Sequence, residues 1–188
     1  RSNGNGSLMR VLPLVLLHRG SDTELIERAH QQSLVTHAHA RSQMCCALYC
    51  LWAWYELQRT AEPWATAVQT LETHYATQPL LKVHLQEFQQ CIQPVALKSL
   101  NRSDCTGTGY VVDSLHSARW ACQSGDFLDV IRRAISLGHD TDTTACIAGG
   151  IAGIRCGLSG LPKDLVSGLR GQEQWLMPLC EGIREAFL

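Results

Sequence analysis

Two aspartates separated by one residue, Asp140 and Asp142, are the side chains of this sequence best suited to chemistry. Threonines stand between them and directly after them. In extended backbone alternate side chains point the same way, so both carboxylates could face one site, with the hydroxyl of Thr143 beside them. Hard oxygen donors gathered in this way suit Mg²⁺, Mn²⁺ or Ca²⁺ and do not suit zinc or copper. The pattern therefore predicts a divalent-cation site.

The same residues could instead act only as helix caps. Asp and Thr are frequent immediately before a helix, and carboxylates there are favoured by the helix dipole. The following run, residues 145–157, favours a site. In it Ala145, Gly149 and Gly153 recur at four-residue spacing, although Gly costs about 1 kcal/mol in a helix interior relative to Ala. Such spacing allows close helix packing. We expect a buried helix whose N-terminus is aimed at a site, with capping as the alternative.

Two further loops, residues 2–7 and 106–109, are rich in glycine and hydroxyl side chains. Glycine lets the backbone approach a ligand closely, and N–H groups at the start of a following helix can hold phosphate. A plain capped loop fits residues 2–7 equally well. His37 and His39, at the start of another predicted helix, could contact a ligand or satisfy local hydrogen bonds. Together with residues 138–143, these loops are expected to form one pocket at converging helix ends.

Hydrophobic periodicity predicts an all-α fold, and no segment alternates convincingly as a strand. Ser21 and Glu24 form a capping-box pattern, and Asp126 is a typical cap for another helix. Ser7 is a plausible cap for the first helix, which Pro13 would perturb. The helix over residues 36–57 is apolar on nearly every face and should be central. The predicted helices cover approximately residues 7–18, 22–33, 36–57, 62–75, 80–92, 110–122, 127–137, 145–157 and 172–187.

Composition indicates one globular domain over residues 1–188. Apolar residues make up 45% of the chain and charged residues 18%, which excludes a disordered chain. The formal net charge is -1 and there is no basic run, so neither nucleic acid nor an anionic membrane surface is an expected partner. The longest uncharged apolar stretch, residues 42–55, is shorter than the roughly 20 residues that span a membrane.

Nine cysteines are present, and no Cys-x-x-Cys pair occurs among them. Five of them fall in apolar helical runs, which favours buried free thiols in a reducing compartment and hence a cytoplasmic location; they are Cys45, Cys46, Cys50, Cys146 and Cys156. A zinc site formed by Cys46, Cys50 and a histidine is disfavoured because the usual ligand spacings are missing. The first residues do not form a signal-peptide pattern. The chain begins with Arg1, inside an apparently functional loop, so we expect a fragment.

Four segments resemble the ADP-ribosylglycohydrolase family, which includes the hydrolase that reactivates ADP-ribosylated dinitrogen reductase. They are residues 4–10 (Gly-Asn-Gly-Ser-Leu-Met-Arg), 36–37 (Thr-His), 107–113 (Gly-Thr-Gly-Tyr-Val-Val-Asp) and 138–143 (Gly-His-Asp-Thr-Asp-Thr). The last segment, continuing to Gly149, is the most specific. The segments occur in the family's order and extend over nearly the whole chain. The resemblance implies a compact multi-helix bundle that removes ADP-ribose from a protein side chain.

The resemblance also implies roles for individual residues. Asp140, Asp142 and Thr143 would be ligands of a two-magnesium centre, in which Mn²⁺ is also possible, and both aspartates would be catalytic. The substrate would be an ADP-ribosylated protein or a small molecule that contains ADP-ribose. The first loop, residues 2–7, would hold the diphosphate and ribose, and His37 and Tyr110 would line the ADP-ribose cleft. The implied substrate-binding residues are Ser2, Asn3, Gly4, Asn5, Gly6, Ser7, His37, Gly109 and Tyr110.

One departure from the family's pattern affects the expected function. Family members carry an N-terminal Thr-Asp-Asp run that completes the metal centre, and this sequence has none. Three ligands from one loop should bind Mg²⁺ weakly. The sequence is therefore compatible with the C-terminal portion of a hydrolase, with a non-catalytic ADP-ribose- or nucleotide-binding module that has half a metal site, or with a helical interaction domain. His139, where many members have Gly, could crowd the metal or contact substrate.

Overall fold

The computed structural model describes residues 3–96 and 98–187, without the side chains of residues 186 and 187. Ser2, one of the predicted binding residues, lies outside the described residues. The described part is helical and contains no strand; one isolated antiparallel bridge joins Gly4 to Tyr110. The predicted all-α class is therefore confirmed. None of the described helices combines the length and the apolar composition that a membrane-spanning helix requires.

The described helices vary from single turns to five-turn rods. In chain order they are α1 (Gly6–Met9), α2 (Pro13–Leu16), α3 (Asp22–Leu34), α4 (Ala40–Leu57), α5 (Pro63–Thr77), α6 (Lys82–Cys91), α7 (Gln93–Ala96), α8 (Val111–Ala121), α9 (Phe127–Ser136), α10 (Thr141–Cys156), α11 (Lys163–Ser167) and α12 (Met177–Phe187). Short 3₁₀ turns occupy Pro79–Leu81, Arg102–Asp104 and Leu158–Gly160, and a π turn occupies Gln172–Leu176.

Helix α4 lies at the centre of the bundle, as its sequence predicts. Apart from Arg41, every side chain from Ala40 to Ala53 is buried, because apolar residues occupy all faces of this stretch. Helices α3, α5, α6, α8 and α10 all pack against it. The helix begins after His39, whose ring Nδ1 accepts the N–H of Arg41 at 3.1 Å. His39 therefore caps α4, one of the two roles that the sequence left open for it.

Two other predicted caps are confirmed. The hydroxyl of Ser21 accepts the N–H of Glu24, and the Glu24 carboxylate accepts the N–H of Ser21, so the capping box of α3 is complete. At the start of α9 the carboxylate of Asp126 accepts the N–H of Asp129 at 3.0 Å. These bonds satisfy backbone donors that have no partner within the helix.

The predicted first helix, residues 7–18, is wrong in its extent. The chain forms two single-turn helices there, α1 and α2, because Pro13 has no N–H to continue a helix and its fixed φ is well suited to beginning one. Ser7 does not cap α1; it lies within the helix, after Asn5 in the cap position.

Helix α10 is less buried than its small residues suggested. Cys146 is exposed, and Gly149 and Gly153 are half-buried. The close approach occurs at Gly150, where an added Cβ would lie 2.5 Å from the hydroxyl oxygen of Tyr49. An added Cβ at Gly153 would meet nothing within 4 Å. On the predicted stripe, an added Cβ at Gly149 would lie 3.2 Å from Cδ1 of Ile131, so the predicted tight contact is present at Gly149 but not at Gly153.

The cysteines that were predicted to be buried also differ in burial between α4 and α10. Cys45, Cys46 and Cys50 are fully buried, as predicted, and burial raises the pKa of Cys46 to about 11. The prediction is wrong for Cys146, which is exposed, and for Cys156, which is half-buried. All nine cysteines are free. An apolar helical run therefore identified the buried thiols only on α4, the helix that is enclosed on every side.

We predict that Gly150→Ala lowers the free energy of unfolding by about 1–3 kcal/mol, because the new methyl group overpacks a closed contact. Tyr49 cannot yield easily, since it is buried and its hydroxyl donates to the carbonyl of Ile147 at 2.8 Å. Gly153→Ala is the matched control. It should be neutral or stabilise by up to about 1 kcal/mol, because Ala is the better helix former. Urea denaturation measures both changes, and equal midpoints would contradict the assigned packing.

Candidate functional site

Three loops meet at one end of the bundle. The carbonyl of Gly107 accepts the N–H of Asp140 at 2.9 Å, and the carbonyl of Asn3 accepts the N–H of Val111 at 2.8 Å. Residues 3–6, 107–111 and 138–140 are thereby joined by backbone hydrogen bonds, although more than 100 positions separate the first loop from the second. Helices α1, α8 and α10 all start here. The expected convergence of the three loops is present.

Asn5 connects the first loop to the aspartate pair. Its side chain is only 7% exposed, and its amide nitrogen donates to Oδ2 of Asp140 at 2.7 Å and to the hydroxyl of Ser114 at 2.8 Å. Both hydrogens of the amide are therefore used inside the protein. Asn5 was predicted to bind substrate; in this arrangement it also fixes the position of Asp140.

The electrostatics of Asp140 favour its ionised form. Burial raises the pKa of this carboxyl, but hydrogen bonds with Thr143, Asn5 and the neighbouring Asp142 outweigh that effect and lower the pKa below its ordinary 3.8. Asp142 is exposed, whereas Thr143 is only 6% exposed. The two carboxyl groups are thus close together and partly open to solvent.

The backbone brings the carboxyl groups together differently from the prediction. The segment is not extended: Asp140 precedes α10, with φ -90° and ψ 63°, and Asp142 is in the first helical turn. The carboxylate of Asp140 accepts no backbone N–H of that helix, so it does not act as the simple cap that the sequence also allowed. It bonds to side chains instead, which leaves a polar cluster at the helix start.

The donor set at this position suits a hard divalent cation. It consists of the carboxylates of Asp140 and Asp142 and the hydroxyl of Thr143, all oxygen ligands. In the part of the chain that the structure describes, no group of three His, Cys, Asp or Glu side chains is arranged to hold a metal. These residues would therefore supply part of a Mg²⁺ shell, with the remaining positions taken by water or other ligands.

Glycines keep the space around the cluster open. An added Cβ at Gly109 would lie 3.0 Å from Oδ2 of Asp140, and one at Gly6 would lie 3.1 Å from Cε1 of His37. The half-buried ring of His37 thus lies against the first loop, with Nδ1 2.7 Å from the Thr36 hydroxyl. Side chains at these two glycines would crowd the carboxylate and the imidazole.

The hydroxyl of Tyr110 is hydrogen-bonded to a charged pair that the sequence analysis did not identify. Its hydroxyl accepts from the guanidinium of Arg41 at 3.0 Å, and Arg41 forms an ion pair with Glu87. Burial raises the pKa of the Tyr110 phenol above its ordinary 10.0, although Arg41 partly opposes the shift. No local pattern could have revealed this group, because its members lie on α4, α6 and the loop before α8.

Two residues of the family-like segments, Ser7 and Asp113, make hydrogen bonds that stabilise the fold. The hydroxyl of Ser7 is fully buried and accepts from the hydroxyl of Ser33 at 3.1 Å, so this side chain faces the core and not the cleft. The carboxylate of Asp113 accepts from the hydroxyls of Thr106 and Thr108 at 2.8 and 2.7 Å. Asp113 therefore stabilises the 106–108 loop at the start of α8.

Gly107 is the tightest point of the site. Its φ of +66° is unfavourable for other residues, and an added Cβ would lie 2.8 Å from Cβ of Leu137 and 3.0 Å from the carbonyl oxygen of Gly138. The facing turn is also left-handed, with φ of +78° at Gly138 and +57° at His139. His139 is therefore a non-glycine residue in a conformation that glycine adopts more readily.

Comparisons with known proteins show the family to which the chain belongs. A family model described as ADP-ribosylglycohydrolase matches residues 1–188. The chain is 32% identical over 166 residues to ADP-ribosylarginine hydrolase Tri1 of Pseudomonas putida (strain GB-1), with 87% of this chain and 41% of that protein covered. It is 25% identical over 215 residues to ADP-ribosylhydrolase ARH3 of Danio rerio, with 98% and 55% covered.

A solved structure titled ADP-ribosylglycohydrolase-related protein complex has a TM-score of 0.66 and 26% sequence identity to this chain. The match covers 92% of this chain and 57% of that one. The chain thus spans about half the length of the relatives it matches.

We predict that Asn5→Ala raises the pKa of Asp140 toward its ordinary value, because one hydrogen bond to the ionised form is lost. A group with a lowered pKa stabilises the fold at higher pH, and this contribution is lost as the pH falls through the folded-state pKa. Wild type should therefore lose more stability on acidification than the variant. NMR titration of the Asp140 carboxyl carbon measures this pKa. An unchanged pKa in Asn5→Ala would contradict the role of Asn5 in stabilising the ionised carboxylate. Ser114→Ala, which leaves the Asn5–Asp140 hydrogen bond in place, should shift the pKa of Asp140 less than Asn5→Ala does.

We also predict that Gly107→Ala destabilises the protein by about 1–3 kcal/mol, through its positive φ and the contacts with Leu137 and Gly138. Gly125→Ala is the control, because an added Cβ there meets nothing within 4 Å and its φ is not positive. Thermal or urea unfolding compares the two. Equal stability of both variants would show that residue 107 is not in close contact with Leu137 and Gly138.

Proposed function

Because the chain belongs to the ADP-ribosylglycohydrolase family, we propose that the protein containing it hydrolyses the glycosidic bond between ADP-ribose and a modified protein side chain. One observation carries the proposal: three distant loops converge on the adjacent carboxyl groups of Asp140 and Asp142. Capping of a helix needs only a local side chain, and it does not require side chains and backbone groups from three separate segments.

We propose ADP-ribosylated arginine as the first substrate to test. Support comes from two relatives named ADP-ribosylarginine hydrolase, from Pseudomonas putida (strain GB-1) and Serratia proteamaculans (strain 568), which are 32% and 28% identical to this chain. A small molecule that contains ADP-ribose is the other substrate class.

In the proposed mechanism Asp140, Asp142 and Thr143 would hold Mg²⁺ or Mn²⁺. Such an ion, when bound, can engage ribose hydroxyls and lower the pKa of an attacking water. The protein's own part is positional. Asn5 keeps Asp140 in place and ionised. The carboxylates can also accept the proton that the water loses.

The substrate would lie across the joined loops in this proposal. Residues 3–6 would offer backbone groups to a diphosphate beside the ring of His37, which approaches Gly4 and Gly6 closely because these residues have no side chain. Ser7 contributes at most its backbone, since its hydroxyl is buried. Gly109 and the Tyr110 ring, which Arg41 holds, would form the opposite wall.

A second candidate is a non-catalytic module that binds ADP-ribose. The observation favouring it is the small number of metal ligands: the described residues contain no arrangement of three His, Cys, Asp or Glu side chains suited to a metal. A module of this kind would bind ADP-ribose without turnover. Calorimetry with ADP-ribose, with and without Mg²⁺, combined with an assay for release of ADP-ribose, separates the two functions.

We predict that Asp142→Asn reduces hydrolysis of ADP-ribosylated arginine by about 100-fold or more, because one of the two carboxylates that would hold the cation and could accept a proton from water is lost. The side chain is exposed, so unfolding should change by less than about 1 kcal/mol. Asp129→Asn is the matched control: it removes an exposed carboxylate paired with Arg132 on α9 and should retain full activity. Near-normal turnover of Asp142→Asn would exclude the metal role.

A further inference from the structure

Two exposed residues of the family-like segments, Arg10 and Thr36, are hydrogen-bonded in series to the imidazole of His37. Arg10 ends the segment over residues 4–10, and Thr36 directly precedes His37. The guanidinium of Arg10 donates to the hydroxyl of Thr36 at 2.5 Å, and that hydroxyl lies 2.7 Å from Nδ1 of His37. Two side chains outside the cleft are therefore connected to a ring of the candidate site.

The direction of these hydrogen bonds follows from the donors that are present. A guanidinium can only donate, so the Thr36 hydroxyl accepts from Arg10. That hydroxyl keeps one hydrogen of its own, and among the described residues its other partner is Nδ1 of His37. A hydroxyl that accepts from a cation is polarised and becomes a stronger donor. Thr36 therefore donates to Nδ1, which leaves the proton of the neutral imidazole on Nε2.

The end of α3 fixes both ends of this series. The N–H groups of Thr36 and His37 donate to the carbonyl of Ser33 in the last turn of α3, at 3.1 and 2.7 Å. The guanidinium of Arg10 also donates to the carbonyl of Gln32, at 3.3 Å. Because α3 packs on the central helix α4, the imidazole is attached to a well-supported part of the bundle.

The second ring nitrogen of His37, Nε2, lies toward the first loop. An added Cβ would lie 3.6 Å from Nε2 at Gly4 and 3.5 Å from it at Gly6. Nε2 has no hydrogen-bond partner within the described part of the chain, and the side chain is half-buried. A single N–H donor is thus directed at the loop that would hold the diphosphate in the proposed function.

We propose that Arg10 and Thr36 are positioning residues that keep neutral His37 as its Nε2–H tautomer, so that this N–H donates to a diphosphate oxygen of ADP-ribose. A proton on Nδ1 would instead turn the lone pair of Nε2 toward the diphosphate and disfavour its binding. The identity of the ligand rests on the proposed function, whereas the tautomer is a property of the free protein.

The competing explanation is a structural clamp between residue 10 and the end of α3. A clamp accounts for the bonds of Arg10 to Thr36 and Gln32. It does not require that Thr36 donate to His37, or that the ring face the glycines of the first loop. A clamp predicts a loss of stability when Thr36 is changed, and an effect on ligand binding that is independent of His37.

The first test measures the tautomer without any ligand. At a pH of about 8 an ordinary histidine is neutral, and proton–nitrogen correlation NMR of the imidazoles distinguishes Nδ1–H from Nε2–H. The signals of His37 are those missing in His37→Leu. Wild type should contain the Nε2–H tautomer alone. Thr36→Val, which keeps the shape of the side chain without the hydroxyl, should contain both tautomers, and Thr36→Ser should match wild type.

The second test is calorimetry with ADP-ribose. His37→Leu should weaken binding by about 10-fold, because a hydrogen bond to a charged group is lost. Thr36→Val should weaken binding by about 3-fold, because only part of the His37 population then presents the N–H. In a His37→Leu background Thr36→Val should have no further effect, since Thr36 acts through His37. Thr73→Val is the matched control; it removes an exposed hydroxyl on α5 that donates to the carbonyl of Gln69, and it should bind as wild type does.

Urea denaturation of each variant separates a loss of stability from a loss of binding. An Nδ1–H tautomer in wild type, a Thr36→Val spectrum identical to that of wild type, or additive effects of Thr36→Val and His37→Leu on affinity would overturn the proposal. Failure of ADP-ribose to bind wild type would contradict the proposed function. The tautomer measurement, which needs no ligand, would then decide by itself whether Thr36 positions His37.

Discussion

The hydrogen bonds made by Asp140 are the constraint on which the candidate site depends. Its backbone N–H bonds the carbonyl of Gly107, and its carboxylate accepts from Asn5. These two bonds join the three loops that carry the motif residues. They need close backbone contact, which only glycine at position 107 permits. The carboxyl group is thus fixed and ionised before any ligand arrives, as a preorganised site requires.

The bundle makes that constraint possible by holding the helix starts together. Helices α8 and α10 pack on each other and on α4, whose buried faces leave it little freedom to move. The packing is closest at Gly150, where α10 meets Tyr49. Close packing in the core fixes the positions of the helix ends. The loops attached to those ends are therefore positioned partly by side chains that lie far from the carboxylate cluster.

The two ends of the bundle differ in charge in a way that suits the helix dipole. The carboxylates of Asp140 and Asp142 stand at the start of α10, and Arg155 stands in its last turn; Arg119 is likewise near the end of α8. Acids at helix starts and cations at helix ends are each stabilising.

The sequence by itself determined the helical class, the central position of α4, the caps at Ser21 and Asp126 and the residues of the three loops, because these depend on local periodicity and side-chain type. It did not determine the break at Pro13, the exposed face of α10 or the turn at Asp140, where tertiary contacts replaced the extended backbone expected from a two-residue spacing. The partnerships of Asn5 with Asp140 and of Arg41 with Tyr110 were decided only by the tertiary structure. Their members lie on different segments of the chain, and folding alone brings them within bonding distance.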